Sequence, residues 1–367
     1  MPTEPRFVYV DAQAVLSELI AQYELESGKP LQPAQPERLI FNAFAYRETL
    51  VRQAIQDTAV QNLVSFSSAP VLDFLGEIVG VKRLAPAPAV CQLTFTFVFG
   101  HSGGTVPAGT RVASTDGQAI FVTKQEIPVP ALVSSFTVDA EALVGGLGGN
   151  GYVPGTITNL LDPQTFIQSV TNADTSEFGT DEEDDEGLRN RIRLAPGQFS
   201  NAGSRGAYVF HTFSAHPSIV DVAVTNPTPG TVNVYPLVEG GITTPVPVVN
   251  SVIAALNSER VRPLTDTVVV LSPTAVTYTI TANIVVLSTY NTSDVQAAVV
   301  AALTEFVATK RLKLGRDVMQ SQVIGVIMSV DGVYTAALAS WSDKIIAATE
   351  FPKNTAITVN VTGTNVG

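Results

Sequence analysis

The sequence has 367 residues with 33 acidic and 21 basic side chains, a formal net charge of −12. Nucleic acids are bound by clustered Lys and Arg, and the sequence contains no such cluster, so we expect no direct contact with nucleic acid. The single cysteine, Cys91, excludes an intrachain disulfide, and the 45% apolar content predicts a folded chain of several domains.

The N-terminal residues contain acids and prolines where the apolar core of a signal peptide would lie, so we expect no such leader. No stretch reaches the about 18 uncharged apolar residues that cross a bilayer. The sequence therefore predicts no membrane insertion.

Residues 1–88 are predicted to form a mainly helical region. A long helix is expected from Pro36 to Phe66, because apolar residues recur there every three or four positions. Its apolar stripe consists of Ile40, Phe44, Val51, Ile55, Ala59, Leu63 and Phe66. A second helix is predicted over residues 69–80, where Gly80 ends it, and residues 85–90 then form a linker.

Residues 89–170 are predicted to form a central β domain. The apolar period changes there from about 3.6 to about 2 residues, and β-branched and aromatic residues are frequent. Glycine and proline turns separate the predicted strands, which cover residues 92–99, 111–115, 119–123 and 134–143. We therefore expect a compact β domain inserted between helical parts of the chain.

A dense charge run, Thr180 to Leu194, follows the β domain. It predicts a helix in which Thr180 or Asp181 caps the first turn and the acids lie at the positive end of the helix dipole. Asp185 is spaced to pair with Arg189, and Arg193 falls in the last turn. A solvated helix face is the simplest interpretation. A calcium site is disfavoured because a helix spreads carboxylates around its axis.

Residues 171–272 and 273–367 are predicted to form two small α+β lobes. Each contains the order helix, strand, turn, strand, at residues 206–237 and 321–363. This faint repeat indicates lobes of related design, and convergence of simple units is the alternative. Between these stretches, Ser293 and Gln296 are spaced for a capping box at the start of an amphipathic helix.

Two glycine-rich stretches match known motifs but lack their structural context. Residues 100–104 fit G-x-S-x-G around Ser102, yet Pro107 and Gly109 follow where a hydrolase nucleophile needs a helix. Residues 146–151 fit G-x-G-x-x-G, yet a dinucleotide site also needs a helix next, and a proline and a glycine follow. Both are therefore interpreted as turns, and we predict no cofactor, no metal site and no catalytic set.

Several segments, in order, resemble the baseplate J-like family, which contains wedge components of contractile phage tails and related injection systems. The resemblance extends from about Glu37 to Val330. The segments are residues 44–84, 103–123, 145–157, 184–195, 206–224, 229–237, 261–270 and 314–323. Residues after Trp341 match no such segment, so their role is open.

The resemblance implies a non-enzymatic structural role, and the family brings no catalytic residues. Such proteins pair with a second wedge protein and with further copies of themselves. Six wedges surround the hub and spike, link to the sheath and help to trigger its contraction. A virion location, in the tail baseplate, after assembly in the host bacterial cytoplasm is also implied.

The composition agrees with a surface covered by neighbours, because charged residues make up only 15% of the chain and interface cores are depleted in charge. In such a chain a dense charge cluster is a candidate contact. The candidate interface residues are Asp184, Asp185, Glu186, Arg189 and Arg193. The predicted fold class is α+β multidomain, with an N-terminal helical region, an inserted central β domain and a C-terminal pair of small α+β lobes.

Two other functional classes compete with this interpretation. One is a β-rich tail-associated esterase or glycan hydrolase that uses Ser102, which activity on ester or cell-wall substrates and its loss in Ser102→Ala would reveal. The other is a receptor-binding module. That class predicts a projecting terminal β domain with exposed aromatics, whereas the β region here lies in mid-chain.

Overall fold

The computed structural model describes residues 3–199, 204–258, 261 and 265–366. The chain divides into two compact units: Met1–Arg83 with Asp184–Arg193, and Leu84–Glu183 with Leu194–Gly367. Residues 84–183 thus interrupt the first unit along the chain. The fold is α+β and multidomain, as predicted. Within the family-like segment 261–270, residues 262–264 lie outside the described part.

The first unit is helical. Its helices are α1 (Ala12–Ser27), α2 (Glu37–Gln61), α3 (Val71–Ile78) and α4 (Asp185–Leu194). Helix α1 begins where the Asp11 side chain accepts the N–H of Gln13 (2.9 Å) and of Ala14 (3.2 Å). It ends at Gly28, whose φ of 68° favours glycine. The predicted stop of α3 is confirmed, since Gly80 follows it with a φ of 72°.

Helix α2 begins as predicted but ends before Phe66. Residues 62–66 form turns in which Leu63 N–H donates to Val60 O and Phe66 N–H donates to Leu63 O. The turns direct the carbonyls of Val64 and Ser67 at the Arg189 side chain, a long-range contact that local periodicity does not contain.

The inserted stretch is the β domain. Its strands are β1 (Val90–Phe97), β2 (Gly104–Val106), β3 (Arg111–Ser114), β4 (Ile120–Thr123), β5 (Ile127–Val129), β6 (Ser135–Ala142), β7 (Ile157–Leu160) and β8 (Ile167–Asn172). The main sheet has the order β7–β3–β4–β6–β1–β8, and β2 pairs with β5. Alternation along β1 buries Leu93 and Phe95 against Phe121 of β4 in one core. The four strands expected from the sequence are β1, β3, β4 and β6.

The rest of the second unit contains two α+β lobes. The first lobe contains α5 (Arg205–Phe213), β9 (Ile219–Thr228), β10 (Thr231–Val238), α6 (Val246–Leu256) and β11 (Thr267–Val270). The second contains β12 (Thr274–Leu287), α7 (Thr292–Lys310), α8 (Gln320–Met328), β13 (Val333–Leu338) and β14 (Glu350–Asn365). Each lobe has its own cluster of buried apolar residues, because each sheet packs its helices on one face.

The two lobes share a sheet arrangement but differ in connection. The central strand of each, β10 or β12, pairs antiparallel with one neighbour and parallel with the other. In the first lobe β9 and β10 form a hairpin, whereas β13 and β14 lie on opposite sides of β12. The repeated order of elements therefore does not produce a repeated connection.

The predicted capping box at Ser293 and Gln296 is wrong. Asn291 is the cap of α7, and its side chain accepts the N–H of Ser293 (3.0 Å). Gln296 instead donates to the carbonyl of Val359 in β14 (2.6 Å). The Gln296 side chain therefore contacts the sheet and not the start of α7, where its spacing from Ser293 predicted a cap.

Candidate interaction surface

Helix α4 begins later in the charge run than the sequence predicts, at Asp185. Gly187 N–H donates to the Asp184 side chain (2.7 Å), so Asp184 serves the first turn of α4. Thr180 and Asp181, the predicted caps, are engaged elsewhere in the second unit. Thr180 pairs with the backbone of Ala87, and the Asp181 side chain accepts the N–H of Leu147 (2.9 Å). The expected cap at Thr180 or Asp181 is therefore wrong.

Asp185 pairs with an arginine from a distant part of the sequence. Its Oδ1 lies 2.7 Å from Nη2 of Arg83, and Arg83 also contacts Asp73 through Nε at 2.9 Å. The hydrogen bonds from Arg83 lower the pKa of Asp73, and both carboxylates raise the pKa of the guanidinium. We call Asp73, Arg83 and Asp185 the arginine clasp. The expected Asp185–Arg189 pair is replaced by this clasp.

Arg189 lies inside the first unit, only 8% exposed. Its Nε donates to the carbonyl of Val64 (2.7 Å) and its Nη2 to that of Ser67 (2.6 Å), while Nη1 pairs with Glu186. Arg191 is also buried and donates to the carbonyl of Lys82. These arginines join α4 to the turn after α2 and to the segment after α3. The predicted solvated face is therefore wrong for Arg189.

Three of the five candidate interface residues keep exposed side chains: Asp184, Glu186 and Arg193. Arg193 donates to the Ser65 hydroxyl at 3.1 Å, an exposed contact. Asp185 and Arg189 hold the unit together instead. Asp73 and Arg83 are not predictable from local sequence patterns, because Arg83 and Asp185 are 102 positions apart and no local period connects them.

The second feature is an exposed apolar stripe on α2. Four side chains of the predicted stripe are 50–61% exposed, and we call them the α2 stripe: Ile40, Phe44, Val51 and Ile55. The buried face of the helix is a different one, formed by Ala45, Gln56 and Val60. Periodicity thus predicts correctly that α2 has an apolar face. The first unit, however, buries a different face of this helix.

The loop around Ser102 connects two strands. It joins β1 to β2, so the helix that a hydrolase nucleophile needs does not follow. Both ring nitrogens of the adjacent His101 contact main chain: Nε2 lies 2.8 Å from Val133 O, and Nδ1 accepts the N–H of Gly103 at 3.1 Å. The imidazole in this loop is therefore held by the backbone rather than directed at the serine.

The glycines at residues 146–151 enclose a short 3₁₀ turn, Leu147–Gly149, and the described chain then continues to β7. Among the residues that the structure describes, no group of three or more His, Cys, Asp or Glu side chains is placed to hold a metal ion. In the same part of the chain, no helix combines the length and the apolar character that crossing a bilayer requires.

Comparison with known proteins finds four domain families in order along the chain. They are the Baseplate J-like N-terminal domain at residues 35–89, the Baseplate J-like protein barrel domain at 92–179, the Baseplate J-like central domain at 200–272 and the Baseplate J-like protein C-terminal domain at 278–360.

Similarity also extends to individual proteins. Baseplate protein J of Escherichia phage P2 is 35% identical over 162 residues, which make up 43% of this chain and 52% of that protein. The match thus spans about half the length of that relative. A cryo-EM structure of the anti-feeding prophage baseplate, 6-fold symmetrised, aligns over 93% of this chain and 90% of its own, with a TM-score of 0.44 and 13% identity.

Proposed function

The chain belongs to the baseplate J-like family, and from this membership we propose that it is a structural component of a contractile-tail baseplate. The observation that carries the proposal is the ordered set of four domain matches from residue 35 to residue 360. The similarity to a phage P2 protein named for the baseplate supports it. In this role the chain acts through its shape and its contacts rather than by catalysis.

In more detail, the chain is a wedge protein that works in a sixfold ring around the hub and spike. Its partners are a second wedge protein, further copies of itself and the proteins that link the ring to the sheath, and the ring helps to trigger sheath contraction. It resides in the tail baseplate of the virion after assembly in the host bacterial cytoplasm.

The α2 stripe supports an assembly role. Large apolar side chains in a contiguous exposed row favour burial against another surface. The row follows one face of a helix of 25 residues, a shape that suits an apolar helix of a companion subunit. The stripe is therefore the first docking surface of the proposed wedge.

The exposed charges of α4 form a second contact. Asp184, Glu186 and Arg193 are accessible, whereas the clasp and Arg189 fix the helix that presents them. Exposed charges around an apolar contact steer association and exclude wrong partners. Charge on α4 thus selects the register of the companion, and the α2 stripe contributes most of the binding free energy.

The experiment compares tail particles from cells that produce the wild type or the double variant Phe44→Ser/Val51→Ser. We expect incorporation of the variant to fall at least about tenfold, because apolar anchors dominate interface energies. Circular dichroism of the purified chain should show unchanged helix content, since both side chains are exposed.

The control is Leu25→Ser, which removes an apolar side chain of α1 that is more exposed than Phe44 or Val51. It should enter particles at the wild-type level. Wild-type incorporation of the Phe44/Val51 variant would refute the docking role of the stripe. Absence of the wild-type chain from purified tails would refute the baseplate assignment itself.

A further inference from the structure

The second unit contains a wide cleft between the β domain and helix α6 of the first lobe. Its volume is ≈ 1630 Å³. One wall is formed by residues of β1, β6 and the connection from β4 to β5, and the other by α6 residues that include Val246 and Asn250. Small-molecule pockets have volumes of about 300–1,000 Å³. The cleft is therefore larger than a small ligand fills, and it has room for a stretch of polypeptide.

The cleft is acidic. Its only lysine, Lys124, already pairs with Glu141 at 2.9 Å. Burial lowers the pKa of the lining His216 below its ordinary value of 6.5, so this ring adds no cation at neutral pH. Within the described ranges, no ion pair includes Glu126 or Glu177. An uncompensated negative charge in a concave site attracts cations and repels acidic partners. The carboxylates that line the cleft are Glu126, Asp139, Glu141, Asp174 and Glu177.

The same cleft exposes apolar side chains. Phe136 on the β-domain wall is 43% exposed, and Val246 on the α6 wall is 71% exposed. The main chain of β6 is already paired with β1, and that of β1 with β6 and β8. This wall therefore offers side chains rather than free main-chain groups, so its ligand is not held by strand addition. A matching ligand presents cationic and apolar side chains together.

We propose that the cleft binds an extended basic segment of a companion subunit, in which lysine or arginine side chains alternate with apolar ones. The cations pair with Glu126, Asp139 and Glu177, and the apolar side chains cover Phe136 and Val246. These carboxylates belong to three separate parts of the β domain, so a chain with several spaced cations reaches more of them than one ion does.

This proposal states the chemistry of one partner of the baseplate component, and it rests on the proposed function for the companion being a tail protein. The binding itself does not depend on that setting. It is therefore testable on the purified full chain with a defined peptide.

The probe is a fluorescent peptide in which four lysines alternate with three leucines. Two comparison peptides carry glutamine or glutamate in place of every lysine. Fluorescence anisotropy measures the dissociation constant of each. We expect the lysine peptide to bind the wild type and to bind more weakly as the salt concentration rises, because salt screens exposed charges. The glutamine peptide should bind at least about fivefold more weakly, and the glutamate peptide should not bind.

Two variants locate the binding in the cleft. Glu126→Gln/Glu177→Gln removes two exposed charges and should raise the dissociation constant of the lysine peptide at least about fivefold. Asn250→Trp places an indole on the α6 wall and should raise it at least about tenfold by filling the cleft. The matched control is Glu305→Gln/Asp331→Asn, which removes two exposed acids from the second lobe and should leave the constant unchanged. Circular dichroism checks that each variant is folded.

Equal binding of the lysine peptide to the wild type and to both cleft variants would overturn the proposal, as would equal binding of all three peptides or no binding. A wild-type dimer that Asn250→Trp converts to a monomer would assign the cleft to a second copy of the chain and would also overturn it.

Tail particles separate this proposal from the proposed function. If the wild type enters tails, Glu126→Gln/Glu177→Gln should be incorporated less than the control variant, and equal incorporation would overturn the role of the cleft in docking a companion. A purified chain that binds the lysine peptide at the cleft but is missing from tails would refute the baseplate function instead.

Discussion

Arg83 and Asp185 meet at 2.7 Å although 102 positions separate them in the chain. The chain leaves the first unit after Arg83 and returns to it at Asp184. The ion pair thus joins Arg83, the last residue of the first unit before the inserted residues 84–183, to Asp185, the second residue after them. Asp73 contacts the same guanidinium, so a cation shared by two carboxylates fixes α4 to the helical unit.

Removal of the clasp should destabilise the first unit. In Arg83→Ala the Asp73 and Asp185 carboxylates lose their common cation, and we expect the free energy of unfolding to fall by about 1–3 kcal/mol. Hydrogen exchange of α3 and α4 measures the effect locally. The control is Arg111→Ala, which removes a more exposed pair with Asp162 and should lower the free energy of unfolding less than Arg83→Ala does. Equal effects of the two variants would contradict the clasp.

The clasp should also weaken in acid. Hydrogen bonds from Arg83 lower the pKa of Asp73 below its ordinary value of 3.8, so the stabilisation is fully present above that value. It is lost as the pH falls through the lower pKa of the folded state. The destabilisation caused by Asp73→Asn should therefore be largest near neutral pH and should shrink below pH 3.8. Denaturant titrations at several pH values measure it, and a constant difference would refute the assignment.

Two arginines of α4 should respond differently to substitution. Arg189→Ala leaves the carbonyls of Val64 and Ser67 without their donor in a buried site, so we expect a loss of about 2–4 kcal/mol in stability. Arg193→Glu changes an exposed side chain and should shift stability by less than about 1 kcal/mol. It should nevertheless lower incorporation into tail particles, because it reverses a charge of the proposed contact. Wild-type incorporation of Arg193→Glu would exclude that contact.

Cys91 should be inert in the folded chain. Burial raises the pKa of its thiol to about 12, with a further contribution from the charge of Asp174. A thiol reagent at pH 8 should therefore label the protein only as fast as the β domain opens. Labelling rates in increasing denaturant measure this opening, and rapid labelling in native buffer would contradict the burial of β1.

Local patterns predicted local structure well and long-range contacts poorly. Alternation of apolar and polar residues predicts β1, β3, β4 and β6 correctly, because every second side chain of a strand points to the same face and is buried there. The predicted start of α4 is wrong because Thr180 pairs with Ala87, more than ninety positions away. Likewise, periodicity shows that α2 has an apolar stripe but not which neighbour covers it.

The candidate contacts were predictable only in part for the same reason. A charge-rich segment was visible in the sequence, yet the division between internal and exposed residues depends on the position of each side chain around α4. Arg189 faces the turn after α2, and Arg193 does not share that burial. The sequence alone offers no measure of that difference, since both are arginines in one short helix.

The backbone bridge between Ala87 and Thr180 joins the two ends of the β domain, with N···O distances of 2.9 and 3.0 Å. The segment of residues 88–179 therefore begins and ends at the same place, the base of the β domain. A reporter domain whose own termini lie close together matches the geometry of this base, where the two chain ends of the β domain meet.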